Sequence, residues 1–352
     1  MIYGIGQNSL GPNGCFEYSG PNPGGLYCDP VGHWVVVVVA MLLLLFVLVT
    51  ATAYVVFLER VVIGRIQRRP GPNRVGPRGF LQSAVDGIKL LTKESFMPSG
   101  VEVFTYLLAP SIAVLAALLT WAVVPFGLWF GLSYWISNIN IGILLIFAVS
   151  AMNVYAILLG GYSSNSKYSL LGGLRSAAQL ISYEMALGLS LVPTFMIAHS
   201  LRLQDIARFP FPLIVLTPVG FVIYMIAAVA ETNRAPFDLP EAEQELVGGY
   251  HTEYSGFKFA MFYLAEYMNI TAVSTIAAVL FLGGFGWPPI PFVPPIVWLL
   301  IKILLVLFFY IWIRSTFPRL RYDMLMKLGW KVLLPLAIAN VVVTALILVA
   351  VT

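Results

Sequence analysis

Residues 34–58, WVVVVVAMLLLLFVLVTATAYVVFL, run without a single charged side chain. A helix of about 20 such residues crosses the hydrocarbon of a bilayer, where every backbone N–H and C=O must be satisfied internally. Seven more apolar stretches follow, near 103–124, 140–160, 177–198, 213–230, 258–282, 296–313 and 332–350. Soluble domains are about 25% charged, whereas Asp, Glu, Lys and Arg make up 10% of this chain. The expected fold class is therefore an all-α polytopic membrane protein with about eight transmembrane helices. The first run lies too far from the N-terminus, and is too long, for a cleaved signal peptide.

Basic residues give this layout a direction, because cytoplasmic loops carry the excess of Lys and Arg. Of the 20 Lys and Arg, eight follow the first span (Arg60 to Lys93), two the third, two the fifth and five the seventh. All of these fall on one side. Only Arg202 and Arg208 fall on the other, and Lys302 sits inside the seventh span, where a snorkelling side chain is expected. Both termini are thus expected outside and the basic side in the cytoplasm. Residues 1–32, rich in Gly, Pro and Asn, read as an extracytoplasmic extension, and 33–352 as one membrane domain. Cys15 and Cys28 both lie in that extension, where a disulfide and two free thiols are both open. Two cysteines without a cysteine–histidine cluster argue against a metal or iron–sulfur site in this chain.

Several features of the basic side point to chemistry. After the first span, Pro70, Gly71, Pro72, Gly76, Pro77 and Gly79 forbid a continuous helix. Phe80, Leu81, Ala84, Val85, Ile88 and Leu91 then recur at helical spacing, opposite Gln82, Asp86, Lys89 and Lys93. Such a helix lies along the membrane surface, as an anchor or as the rim of an opening for a lipid-soluble molecule. Deeper in, Glu184 lies nine residues beyond Arg175, about 13 Å along the fourth span. Glu266 is placed similarly in the sixth. Ionisable groups at such depth are costly and mark functional sites by default.

The most charged segment is ETNRAPFDLPEAEQELVGGYHTEYSG, residues 231–256 of an acidic loop taken as 231–257. It gathers Glu231, Asp238, Glu241, Glu243, Glu245 and Glu253 around Arg234. Pro240 suits the first position of a short helix, PEAEQELV, that Gly248 and Gly249 would close. Acids in a first turn favour the helix dipole, which accounts for Glu241 and Glu243 but not for the whole group. Carboxylates held together titrate as a coupled set. With Glu184 and Glu266 they outline a proton-handling path from the surface towards mid-membrane. His251, in the same loop, titrates near neutrality and could join it.

These segments resemble a known family. ERVVIGRIQRRPGPNRVGPRG, SNSKYSLLGGLRSAAQLISYE, the acidic segment and IRSTFPRLRYDMLMKLGWK look like the cytoplasmic signatures of the H-type (subunit 1) component of proton-pumping NADH:quinone oxidoreductase, respiratory complex I. The resemblance implies an eight-span subunit of the membrane arm that forms part of the quinone chamber and its entrance. It implies docking of the hydrophilic-arm quinone-site subunits on the cytoplasmic loops, with flavin and iron–sulfur clusters in partner subunits and quinone as substrate. It further implies a carboxylate-lined proton path through Glu184, Glu231, Asp238, Glu241, Glu243, Glu245, Glu253 and Glu266. Quinone surroundings would include Arg60, Arg65, Ala84, Ile88, Arg234 and Arg314, with Arg319 and Arg321 as further balancing bases. The other partners expected are the neighbouring membrane-arm subunits and lipid, with no nucleic acid. The location would be a bacterial cytoplasmic membrane or the mitochondrial inner membrane. Some family members carry an acid in the third span, where this chain has Asn153. Two other assignments stay open to the sequence: the homologous subunit of a membrane-bound hydrogenase or other-donor dehydrogenase, and a stand-alone cation/proton antiporter. The second is disfavoured by the absence of an inverted repeat.

Overall fold

The computed structural model describes residues 30–125, 127–129, 132–134, 139–238, 248–288 and 293–351. Cys15, Cys28, the start of the short helix at Pro240, and Glu241, Glu243 and Glu245 lie outside the described residues. Among the described residues, seven helices are long and apolar enough to span a membrane, and an eighth apolar helix is shorter. The long ones are α1 (Pro30–Ile66), α3 (Val103–Trp121), α4 (Gly142–Ser163), α5 (Lys167–Ala198), α8 (Gly256–Leu280), α9 (Pro295–Thr316), and the run from α10 (Tyr322–Lys327) through a π-helical turn (Leu328–Leu333) into α11 (Leu334–Val351). The short one is α7 (Pro218–Glu231). Between spans lie the surface helix α2 (Gln82–Thr92) and a single turn and a half, α6 (Leu203–Ala207).

One element has no counterpart in the apolar pattern: an antiparallel hairpin between α3 and α4, β1 (Gly127–Trp129) and β2 (Leu132–Tyr134), pairing Leu128 with Ser133. Strands of three residues leave no periodicity to read. Two span boundaries also move. The first helix continues past Leu58 to Ile66, until Pro70 and Gly71 can stop it, which brings Glu59 inside the span. The fourth begins at Lys167, a full ten residues before its apolar core, because Leu170, Leu171 and Leu174 keep up a helical pattern through the polar positions.

α8 is the central column: 78% of its apolar window is buried, against 11% for α1 and for the last span. Its second half, NITAVSTIAAVL, is built of small and β-branched residues, which let neighbouring helices approach where lipid gives no hydrophobic drive to association. Glycine does the same for α4 and α5. A Cβ on Gly161 would sit 2.6 Å from the Ser169 carbonyl oxygen, and one on Gly172 would sit 2.8 Å from the Cα of Gly249. Any larger residue at either place would pry the α4–α5 pair apart, or lift the 249–251 turn off α5.

Candidate functional site

α7 has 14 residues, so it rises about 21 Å against about 30 Å of hydrocarbon. After it the chain turns inside the bundle. Thr232, Asn233, Arg234, Phe237 and Asp238 are all buried. Asn233 adopts a left-handed φ of 50°, a conformation its short polar side chain tolerates. The turn closes by Phe237 N–H donating to the Arg234 carbonyl at 2.8 Å. The described acids of the segment, Glu231, Asp238 and Glu253, therefore lie apart. Glu231 enters the bundle. Asp238 accepts from Arg319 at 3.1 Å, a base 81 positions away. Glu253 stays at the foot of α8, its carbonyl accepting from the Tyr106 hydroxyl at 2.8 Å, and lines neither of the small polar cavities beyond Arg234.

Arg234 points towards α8. Its Nε lies 2.5 Å from Glu266 Oε1, and its guanidinium sits 4.5 Å from the centre of the Tyr267 ring. Both members of the ion pair are largely shielded, with side-chain exposures of 7% and 12%. Beyond the pair are two small cavities that hold the buried polar groups, the second with a largely apolar wall. One, of about 20 Å³, touches Glu266, Asn233, Asn269, Asn153 and Glu231. The other, of about 50 Å³, touches Glu231, Asn269, Asn153, Ser150 and Glu184. Because Asn153, Glu231, Thr232 and Asn269 border both, the spaces adjoin. A water needs roughly 10–15 Å³ of such space, so about one fits the first cavity and about three or four the second. Glu184 accepts from Ser150 at 3.3 Å, and one oxygen of Glu231, Oε2, is buried with no hydrogen-bond partner among the described residues. Asn153 borders both cavities, between Glu266 and Glu184.

A third cavity, of about 360 Å³, is apolar and lies between α1, α2 and α8. Arg60 and Asp86, joined at 2.5 Å, stand at its wall, as do Tyr263 and Tyr267. Ser83 fastens α2 to α1 by donating to the Ala53 carbonyl at 3.0 Å. The polar side of α2, with Ser83, Asp86 and Gly87, thus faces the cavity, whereas Ala84 and Ile88 are exposed on the opposite side and do not line it. Leu90 and Leu91 also border the cavity, further along the helix. Arg65 is exposed at the last turn of α1 and does not line the cavity. Arg314 pairs with the buried Glu59, clamping α9 to α1.

α8 connects the two kinds of cavity. Within YLAEYMN, Tyr263 and Tyr267 face the apolar one, their hydroxyls 3.0 Å apart, while Glu266 and Asn269 face the polar ones. Sequence reasoning singles out Glu266 and passes over Tyr263, Tyr267 and Asn269; four polar residues within seven of a span are the available signal. Lys302 does not snorkel. It is 8% exposed and donates to the Gly284 and Trp287 carbonyls at 2.6 and 2.5 Å, tying the outer loop to α9. His251 packs against the rings of Tyr250 and Phe259, away from both polar cavities.

Comparison with known proteins follows the same lines. The family model described as NADH dehydrogenase matches residues 38–345. A protein of Geobacter metallireducens, named as an H-type subunit of NADH-quinone oxidoreductase, is 52% identical over 310 residues, 86% of this chain and 93% of its own length. The protein of that name in Thermomicrobium roseum is 50% identical over 318 residues, 86% of this chain and 92% of its own. Its namesake in Rhodospirillum centenum is 48% identical over 312 residues, 86% and 90%.

Proposed function

The chain belongs to the NADH dehydrogenase family, as a membrane subunit of an NADH-quinone oxidoreductase, and on that premise we propose that it forms part of the quinone chamber and passes protons between that chamber and mid-membrane. The named relatives favour this reading over the hydrogenase-type subunit and the lone antiporter. The observation that carries it is the double character of α8: tyrosines on the apolar cavity, and a carboxylate and an amide on the small inner cavities, within two turns.

Reducing a quinone to a quinol takes two electrons and two protons. In this reading the electrons come from flavin and iron–sulfur centres in partner subunits, and this chain supplies shape, charge and a route for protons. The apolar cavity accepts the isoprenoid tail, with Arg60 and Asp86 at its polar wall. Arg234 stands between Tyr267 and Glu266, so a change of charge in the chamber is felt by the pair within a few ångströms, where shielding from solvent keeps the interaction strong. Glu266, the waters beside Asn153 and Asn269, Glu231 and Glu184 then form the route inward. Glu241, Glu243, Glu245, Glu253 and Asp238 would belong to its approaches, where the hydrophilic arm docks on the basic side.

Gly87 gives the test. A Cβ placed there meets nothing within 4 Å, and the position borders the cavity. A side chain can therefore start from this position without a clash at its Cβ, and phenylalanine, a better helix former than glycine, relieves α2 of part of the roughly 1 kcal/mol that glycine costs relative to alanine. Gly87→Phe is expected to raise the KM for a long-tailed quinone about tenfold and that for a short-tailed one less than twofold. Ala84→Phe, on the lipid side, should change neither. Equal shifts for the two quinones, or equal effects of the two substitutions, would mean that the cavity takes no tail.

A further inference from the structure

Gln179 lines none of the three cavities, yet it is fully buried in α5. Its Nε2 donates to the Ala230 carbonyl at 2.8 Å and to the Phe237 carbonyl at 2.9 Å. Both partners are acceptors only, so the group facing them must be the amide NH₂, and both of its hydrogens are committed. Ala230 immediately precedes Glu231, and Phe237 immediately precedes Asp238. One side-chain atom thus ties the two ends of the buried turn that carries Glu231 and Arg234. One helical turn earlier, Ser176 Oγ accepts from Asn233 Nδ2 at 3.1 Å, holding the middle of the same turn. Five residues later on α5 comes Glu184, about 7.5 Å along the axis.

We propose that Gln179, assisted by Ser176, is the positioning residue that sets the 231–238 turn against α5 and so fixes the spacing of Glu231 and Arg234 from Glu184. The inference rests on the proton-route reading for its consequence, though not for its geometry. α5 is a single helix from Lys167 to Ala198, so the strut and Glu184 move as one body. Without the strut the turn keeps the Asn233 bond, the non-directional packing of the Phe237 ring on Tyr183 of α5 at 5.7 Å between centres, the Leu320 N–H donating to the Pro236 carbonyl at 3.0 Å, and its two ion pairs. The Leu320 bond and the ion pairs tie it to other elements and do not refer it to α5. Displacing a reacting group by about 1 Å can cost a hundredfold in rate.

Gln179→Met keeps the length and bulk and removes both donors. In the assembled enzyme, hydrogen exchange of the amides between Glu231 and Asp238 is expected to quicken at least tenfold, with α5 itself unchanged. Quinone-reductase kcat should fall about tenfold and the KM for quinone less than twofold. Added to Glu231→Gln, the substitution should cost little more, because the group it positions is already gone; independent sites would multiply. Unchanged exchange overturns the inference whatever the fate of the proton route. Faster exchange with wild-type kcat, or effects that multiply in the double variant, overturns the positioning role. Normal turnover in Glu231→Gln alongside impaired turnover in Gln179→Met also overturns it, and discards the route through Glu231 as well. If Gln179→Met does not assemble, Ser176→Ala, which loosens only the middle tie, is read by the same measurements with effects of about two- to threefold.

Discussion

Arg234→Met is expected to lower the amount of assembled enzyme severely, more than any other single substitution of an arginine in this chain. Arg234 is 6% exposed, lies 2.5 Å from Glu266 and stacks on Tyr267. Truncating one member of a buried pair strands the other charge, a loss of about 3–5 kcal/mol, which rivals the whole stability of many domains. The outcome separates this cause from simple loss of packing. Adding Glu266→Gln removes the stranded charge, so the double variant should recover most of the assembled enzyme while remaining slow in turnover. If Arg234→Met assembles normally, or the double variant is no better than the single, the pair does not hold the turn to α8. Arg321, exposed and 3.8 Å from the exposed Asp323, is the control: its removal should cost less than about 1 kcal/mol.

Glu231→Gln should leave assembly intact and reduce quinone-reductase turnover about a hundredfold, within the range that a positioned proton donor or acceptor contributes. Glutamine has the size and shape of glutamate and fits the same cavity walls, so packing should survive. What it lacks is the capacity to take up and release a proton, and Glu231 borders both small cavities, making it the one carboxylate among the described residues common to the two. The KM for quinone should stay within about twofold, since Glu231 is not on the wall of the apolar cavity. A large KM effect would place the residue in binding, and a normal turnover number would remove it from the route.

Much of this is legible in the sequence because the solvent is lipid. Charge-free runs locate the spans, and Glu184 and Glu266 stand out as carboxylates within them. The unread parts are tertiary. Arg314 meets Glu59 across 255 positions, and Arg319 meets Asp238 across 81; no local pattern announces such pairs. The brevity of α7 is visible only as a slightly short apolar run, yet it is what draws the 231–238 turn off the surface. The periodicity of α2 shows two faces but not which one meets the protein: it points to Ala84 and Ile88, whereas Ser83 and Gly87 border the apolar cavity. Gln179 looks like one polar residue among several at the start of a span. Only the positions of the Ala230 and Phe237 carbonyls give it a purpose.

The link between the two ends of the site is the central claim, and Glu184 tests it most directly. It lies at the far end of the polar spaces, off the apolar cavity, so it has no contact through which to affect a quinone there. Quinone reduction and proton translocation should be measured together, in vesicles carrying the assembled Glu184→Gln enzyme. The account predicts that both rates fall severalfold and in proportion, because a proton that cannot move on stalls the reduction that depends on it. Wild-type rates of both reactions in the assembled variant would contradict it.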